Sequence, residues 1–228
     1  MQNWVEFAVA LALFYASHLI PARPAVRAAL RQGLGPRGYG AVYGLLSLAL
    51  LAWAISAAVR APFVPLWDMQ IWQRWLVNLV MPLAVLLASF GIAAPNPLSF
   101  EGRASGFAPD HPGIAGVTRH PLLLALMLWS LAHVIVNGDL AQVLLFAPFA
   151  AFALIGMRSI DRRNRRLWGM AEWSRMTAKT SLLPGSAWVA GRWRPRARVS
   201  MLRFAIAVLI WLGLLHLHPM VIGVSPLP

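Results

Sequence analysis

Thr118-Arg119-His120-Pro121-Leu122-Leu123-Leu124-Ala125-Leu126-Met127-Leu128-Trp129-Ser130-Leu131-Ala132-His133-Val134-Ile135-Val136-Asn137-Gly138-Asp139 is the stretch that decides how this chain folds. Two histidines, a tryptophan and an asparagine sit in a run of Leu, Ala, Met, Val and Ile long enough to enter a membrane. Polar groups in lipid are costly, so an ionisable side chain there marks a functional site by default. Pro121 suits the first helical position, where its missing N–H is no loss. From there Leu122, Leu126, Trp129, His133 and Asn137 fall on one helical face at i, i+4, i+7 spacing, which points His133 the same way as Trp129 and Asn137.

Working outward, the same character holds for the whole chain. Of its 228 residues 59% are hydrophobic and only 12% charged, well below the quarter charged that soluble domains carry. Six apolar segments reach spanning or near-spanning length: Trp4–Ile20, Tyr39–Val59, Trp75–Ala94, Pro121–Val136, Leu140–Met157 and Phe204–Val224. The fourth is short, and Asn137-Gly138-Asp139 joins it tightly to the fifth as a helical hairpin. The expected fold is all-α, a polytopic membrane helical bundle of about six transmembrane helices in one compact unit.

A net charge of +13 raises the question of nucleic acid. The placement of the charge argues for a membrane. Eighteen of the twenty basic residues fall in alternate loops: Arg23, Arg27, Arg31 and Arg37 in the first, Arg103 and Arg119 in the third, and twelve from Arg158 to Arg203 in the fifth; Arg60 and Arg74 lie in the second. The positive-inside rule then sets both termini outside the cytoplasm, in a multi-pass protein of the inner membrane. Basic loops at that surface attract anionic lipid headgroups, so the expected partner is the lipid bilayer and no nucleic acid. The N-terminus does not read as a signal peptide. It has no basic n-region, carries Glu6 and places its arginines after the apolar run, so a retained first helix is expected.

The loops carry their own signals. Pro21–Gly38 ends in Gly33, Gly35, Pro36 and Gly38 and reads as a short turn-rich loop. Trp67, Trp72 and Trp75 suit an aromatic belt at the membrane boundary. Pro95–His120 is rich in Pro and Gly and reads as irregular. Residues 158–203 form the one long basic loop; Ile160 to Met176, with Leu167, Trp168, Ala171 and Trp173 among arginines, suits an interfacial helix. The chain has no cysteine, which removes disulfides, thiolate catalysis, zinc–thiolate sites and iron–sulfur clusters. HExxH, CxxC, nucleophile-elbow and phosphate-loop motifs are also absent from the sequence.

Six histidines remain to be placed. His111 reads as a solvated loop residue. His216 and His218, two apart and on different faces of the last helix, suit packing or headgroup-level positions better than ligation. His18 follows Phe14 by four residues and shares its face. His120 stands at the start of the fourth helix and His133 within it. An N-cap or lipid-phosphate contact for His120, and an interhelical hydrogen bond for His133, are the structural readings. The functional reading is ligation, since imidazole suits iron and two histidines in a bundle are a common way to hold haem.

The chain resembles the NnrU family of bacterial membrane proteins, named for an association with nitrite and nitric oxide reduction. The plant and cyanobacterial 15-cis-zeta-carotene isomerases fall in the same family. The matching residues are Ser17-His18, the arginine-rich loop with Leu34-Gly35, Thr118-Arg119-His120-Pro121, Trp129-Ser130-Leu131-Ala132-His133 and Asn137-Gly138-Asp139. Asp161-Arg162-Arg163, Gly169, Trp173 and Leu183-Pro184 complete the match. The resemblance covers nearly the whole chain, so residues 1–228 read as one transmembrane domain of that kind. It implies haem b held by two histidines, His18 and His133, with Arg119, His120, Trp129 and Asn137 around the cofactor; catalytic residues stay unassigned. The chemistry implied is a non-redox isomerisation in which one axial ligand leaves ferrous iron and a membrane-dissolved poly-cis carotenoid rotates about its central double bond.

Depth along the helices keeps a second ligand pair open. At about 1.5 Å per residue His18 lies roughly 21 Å below the outer end of its helix and His133 about 6 Å below Asn137, whereas His120 lies near the depth of His18. Two other function classes are carried. One is a non-enzymatic accessory protein for nitrite and nitric oxide reduction, that is, for denitrification. The other is an S-adenosylmethionine-dependent membrane methyltransferase, because Arg-His-Pro entering a hairpin, followed by a charged helix and Leu-Pro, is similar to those enzymes. Leu122-Leu123 and Asp161 depart from their pattern.

The charge split makes a topological prediction. Reporter fusions placed after Arg37 and after Arg198 should both report the cytoplasm; a periplasmic signal at either position overturns the assigned orientation.

Overall fold

The computed structural model describes residues 4–100, 102–195 and 199–228. Its elements are α1 (Trp4–Ala22), α2 (Pro24–Arg60), α3 (Ile71–Gly91), α4 (Ile114–Val117), α5 (Pro121–Val136), α6 (Leu140–Thr177), α7 (Ser186–Val189) and α8 (Met201–Ile222). No strand occurs among the described residues, only two isolated bridges. Five of the helices, α1, α2, α3, α6 and α8, are long and apolar enough to cross a membrane, and α5 is a shorter apolar helix of 16 residues. The protein is therefore an all-α polytopic membrane protein, as its hydropathy predicts.

Two segments differ from the sequence reading for backbone reasons. Pro21–Gly38 is not a loop: α2 starts at Pro24, in the first-turn position proline favours, and runs 37 residues. The turn residues are spent on one break, at Gly35 (φ 69, ψ 163). A residue before proline is pushed out of the α region, and Pro36 supplies that push. The stretch around Ile160–Met176 is helical, but it continues α6 rather than standing apart. α6 runs 38 residues and breaks at Gly169 (φ 77, ψ 167), a conformation that glycine adopts without steric cost. The part of the basic loop at residues 196–198 lies outside the described residues.

The chain divides into two compact units. Unit 1 comprises residues 1–68 and 137–145. Here α1 packs on α2. Phe7, Ala10 and Phe14 are buried on the first, and Ala54, Ala57 and Ala58 on the second. Small residues let membrane helices approach closely, which matters where lipid offers no hydrophobic drive to associate. Glu6 accepts from Arg60 at 2.5 Å and from Trp53 Nε1 at 3.2 Å, joining the two helices near their ends.

The same unit explains the Asn-Gly-Asp motif. Asp139 Oδ1 accepts from the Val64 N–H at 3.0 Å, and the Leu140 N–H donates to the Val64 carbonyl at 3.0 Å. The Gly138 carbonyl accepts from Leu66 N–H at 2.6 Å. Asp139 also sits at the start of α6, where a carboxylate faces the orphan amides of the first turn. Asn137 lies beyond the end of α5, so it does not extend the Trp129–His133 face by another turn.

Unit 2 comprises residues 69–136 and 146–228. In it α3 packs against both α5 and α8. Leu123, Ala153 and Met157 form a buried cluster that joins α5 to α6, with Gly156 facing Leu123. Arg203 of α8 donates to the carbonyls of Ser89 (2.8 Å), Phe90 (3.1 Å) and Ile92 (3.0 Å), which satisfies the orphan acceptors at the C-terminal end of α3. Apart from α4 and α7, residues 95–100, 102–120 and 178–195 are irregular yet cross-bonded. Ser181 N–H donates to Ala115 O (3.2 Å), Arg119 N–H to Ser181 O (2.6 Å) and Gly185 N–H to Val117 O (2.8 Å). The short helices α4 and α7 meet within this layer. Pro82 lies inside α3 and Pro219 inside α8.

The Gly138 turn is tight enough to test. A methyl group there would run into the Trp67 carbonyl. Gly138→Ala should therefore lower stability by about 1–3 kcal/mol, as overpacking does, measured as a drop in the thermal midpoint of the detergent-solubilised protein.

Candidate functional site

The sequence singled out Arg-His-Pro, and in the fold its two side chains converge on one carboxylate. Asp161, four turns into α6 from the Leu145–Phe146 boundary of the units, accepts from Arg119 through Oδ2 and from His120 Nε2 through Oδ1 at 2.9 Å. His120 is fully buried, and its Nδ1 lies 3.3 Å from Ser99 Oγ. A carboxylate only accepts, so the His120 Nε2–H donates to Asp161. Arg119 also donates to Thr180 Oγ1 at 3.1 Å and stacks over Trp173, 5.0 Å from the ring centre. Burial pushes the guanidinium below its ordinary pKa and Asp161 pushes it back.

This connects Ser99, His120 and Asp161 in the order of a hydrolytic triad, a grouping the sequence did not reveal because 21 residues separate Ser99 from His120 and 41 separate His120 from Asp161. Its chemistry is that of a clamp. Ser99 is buried, and the second oxygen of Asp161 is taken by Arg119. Both ring nitrogens of His120 are engaged, so ligation by His120, the alternative left open by helix depth, would break one of these bonds.

A second site lies among α3, α5 and α8 of the same unit. A cavity of about 420 Å³ is walled by apolar residues such as Val77, Met81, Val85, Leu126 and Leu214, together with Trp129. Its polar side chains are Asn78, His133 and His218, with the indole of Trp211. The volume suits a small-molecule or cofactor site. His133 Nδ1 donates to the Trp129 carbonyl at 2.8 Å, one helical turn back. That bond fixes the tautomer in which Nε2 carries the lone pair, the arrangement typical of metal-binding histidines. The ring packs beside Trp129 and Phe146, at centre distances of 5.3 and 4.8 Å. Among the described residues the buried Trp211 Nε1 finds no hydrogen-bond partner.

The other predicted residues fall as follows. His18, in unit 1, repeats the local geometry of His133. Its Nδ1 donates to the Phe14 carbonyl at 2.8 Å, and its ring lies 4.4 Å from Phe14 and 5.5 Å from Tyr43 between centres. Trp129 lines the cavity beside His133. His111 is exposed, as a loop residue should be. His216 is exposed, with Nδ1 bonded to Leu212 O at 2.8 Å. His218, read as a packing or headgroup-level residue, lines the cavity. The signal was present as the i, i+3, i+4, i+7 stripe Trp211, Leu214, Leu215, His218.

Among the described residues no group of three or more His, Asp or Glu is placed to cage a bare ion. A macrocycle supplies its own equatorial donors and needs only axial ones. Imidazoles with anchored Nδ1 atoms, apolar walls and an unpartnered indole N–H fit such a group.

Compared with known proteins, residues 6–226 match the family described as NnrU protein. No curated protein and no solved structure matches the chain.

The clamp makes a stability prediction. Removing one partner of this part-buried ion pair leaves a poorly compensated charge, so Asp161→Ala and Arg119→Ala should each cost about 1–3 kcal/mol. Because the two share one interaction, the double variant should cost clearly less than the sum. Thermal unfolding of the four proteins in one detergent measures this cycle; full additivity would show that the pair contributes nothing as a pair.

Proposed function

Because the chain belongs to the NnrU family, we propose that it is a haem-binding membrane protein that acts on an apolar, membrane-dissolved polyene. The observation that carries this reading is His133, held by its Nδ1 bond to Trp129 in the wall of an apolar cavity. When bound, ferrous haem b supplies a Lewis-acidic iron that lowers the bond order of a cis double bond and lets it rotate without net redox change.

The side chains around the cavity supply the rest. The Trp129 carbonyl holds the His133 ring and directs Nε2 as the ligating atom. Trp129, Leu126 and Leu214 exclude water and offer a polyene the contacts it prefers. Asn78 is tethered to the Pro226 carbonyl at 2.8 Å and fixes the chain that closes the wall. His18 enters as the second ligand on the resemblance alone. The family name favours a second reading, an accessory role in nitrite and nitric oxide reduction, which would use the same haem without turnover. Methyl transfer has less support, because Arg119, His120 and Asp161 are one another's partners.

The test joins spectrum and turnover. Detergent-purified protein should show a Soret band that shifts on dithionite, and His133→Ala should remove or alter it. Co-expressed in the dark with enzymes making 9,15,9′-tri-cis-zeta-carotene, the chain should yield the 9,9′-di-cis product, and His133→Ala should not. Haem without dark conversion would leave the accessory role as the better account.

A further inference from the structure

A second cavity of unit 2, of about 650 Å³, lies where α3 ends and α8 begins. It shares no lining residue with the His133 cavity. Both helices are long and apolar enough to cross a membrane, so their joined ends mark the membrane–water boundary. The split of basic residues between alternate loops puts that boundary on the cytoplasmic side. The wall combines apolar side chains, among them Phe90 and Ile114, with the Trp193 indole and the cations Arg194 and Arg203. The indole is held against Gly116, where an added methyl group would come within 2.3 Å of the ring.

The positive charge of this wall has no carboxylate to balance it. Among the described residues no Asp or Glu lines the cavity, and Arg194 has no hydrogen bond or ion pair. Arg203 bonds through Nη1, to the carbonyls of Ser89, Phe90 and Ile92 at the end of α3. The end of a helix carries roughly half a negative charge, so those bonds leave a good part of the guanidinium charge over. The carboxylate of Asp110, next in sequence to the lining residue His111, is taken by Lys179 at 2.7 Å. Arginine holds phosphate through paired N–H donors. An apolar body attached to that anion would also find a surface. Val199, Met201 and Leu202, at the start of α8, are 62, 71 and 71% exposed, and Val199 lines the cavity itself. A free phosphate would make no use of them.

We infer that this cavity binds one anionic phospholipid, its phosphate held by Arg194 and Arg203 and its acyl chains lying past Val199 and Leu202. The juxtaposition behind it is two arginines without a carboxylate in an apolar-walled cavity, at the level where two membrane helices meet water. Basic loops attract anionic headgroups diffusely; this is one lipid at one built site, and nothing in it depends on haem.

The experiment titrates the full chain, purified in detergent, with phosphatidylglycerol, phosphatidylcholine or inorganic phosphate and counts bound molecules by native mass spectrometry. The parent should retain one phosphatidylglycerol in preference to phosphatidylcholine, and an equal concentration of inorganic phosphate should leave it in place. Arg194→Gln should weaken retention about tenfold, as the loss of one charge-assisted hydrogen bond does. Val199→Trp keeps every charge but obstructs the cavity, and should weaken retention as well. Both changes fall on exposed residues, and a thermal midpoint matching the parent checks that each variant is folded. Arg203 is left intact because it also ties α8 to α3. The pair Arg165→Gln and Arg166→Gln removes two charges from the exposed surface of α6, outside the cavity, and should match the parent. Unchanged retention in Arg194→Gln, or an equal loss in the Arg165 and Arg166 pair, would reduce the site to a diffuse basic surface and overturn the inference. Displacement of the lipid by an equal concentration of inorganic phosphate would make this a site for the free anion and overturn the lipid assignment.

Discussion

One carboxylate, shared between a guanidinium and an imidazole, sets the register of the helix that matters. Asp161 holds Arg119 and His120 at the point where the irregular layer gives way to α5. Pro121 follows at once and fixes where the helix begins. Every later residue of α5 is then placed by 3.6-residue periodicity, which brings Leu122, Leu126, Trp129 and His133 onto the wall of the cavity. The same carboxylate, through Arg119, reaches Thr180, and Ser181 accepts from the Arg119 amide. A single part-buried anion thus ties α6, the start of α5 and the 178–195 segment together, and the Arg119 cation would lack its counter-ion without it.

The architecture was largely legible in the sequence because hydropathy and membrane thickness are coupled by simple length rules. Where reading failed, it failed on backbone chemistry that composition underdetermines. The glycines of Pro21–Gly38 look like a loop, yet one of them, next to Pro36, absorbs the whole break and the others stay helical. The arginines after Met157 look like a separate surface helix, yet nothing before Gly169 stops α6 from continuing.

The site divides along the same line. Local geometry was readable: a histidine four residues after an aromatic bonds back to that residue's carbonyl in both α1 and α5. Non-local geometry was not. Ser99, Asp161 and His218 carry no mark in the sequence that assigns them to His120 or His133. The pairs are made by loops and helix crossings, which periodicity cannot count. His218 was visible only as one end of a stripe on a helix that is apolar all round, where every face is a candidate.

Proline has a further effect on the cavity walls. Pro82 in α3 has no amide hydrogen to give the carbonyl four residues earlier, which belongs to Asn78; Pro219 in α8 leaves Leu215 in the same position. Asn78 and Leu215 both line the cavity. Two of its three helical walls are thus one rung short at the level of the cavity, and helices bend most readily where a rung is missing. By that rule the chamber should bend along α3 and α8 sooner than along α5, which has no proline after its first position. A hydrophobic guest arriving sideways through the acyl chains would meet walls that yield and a histidine that does not.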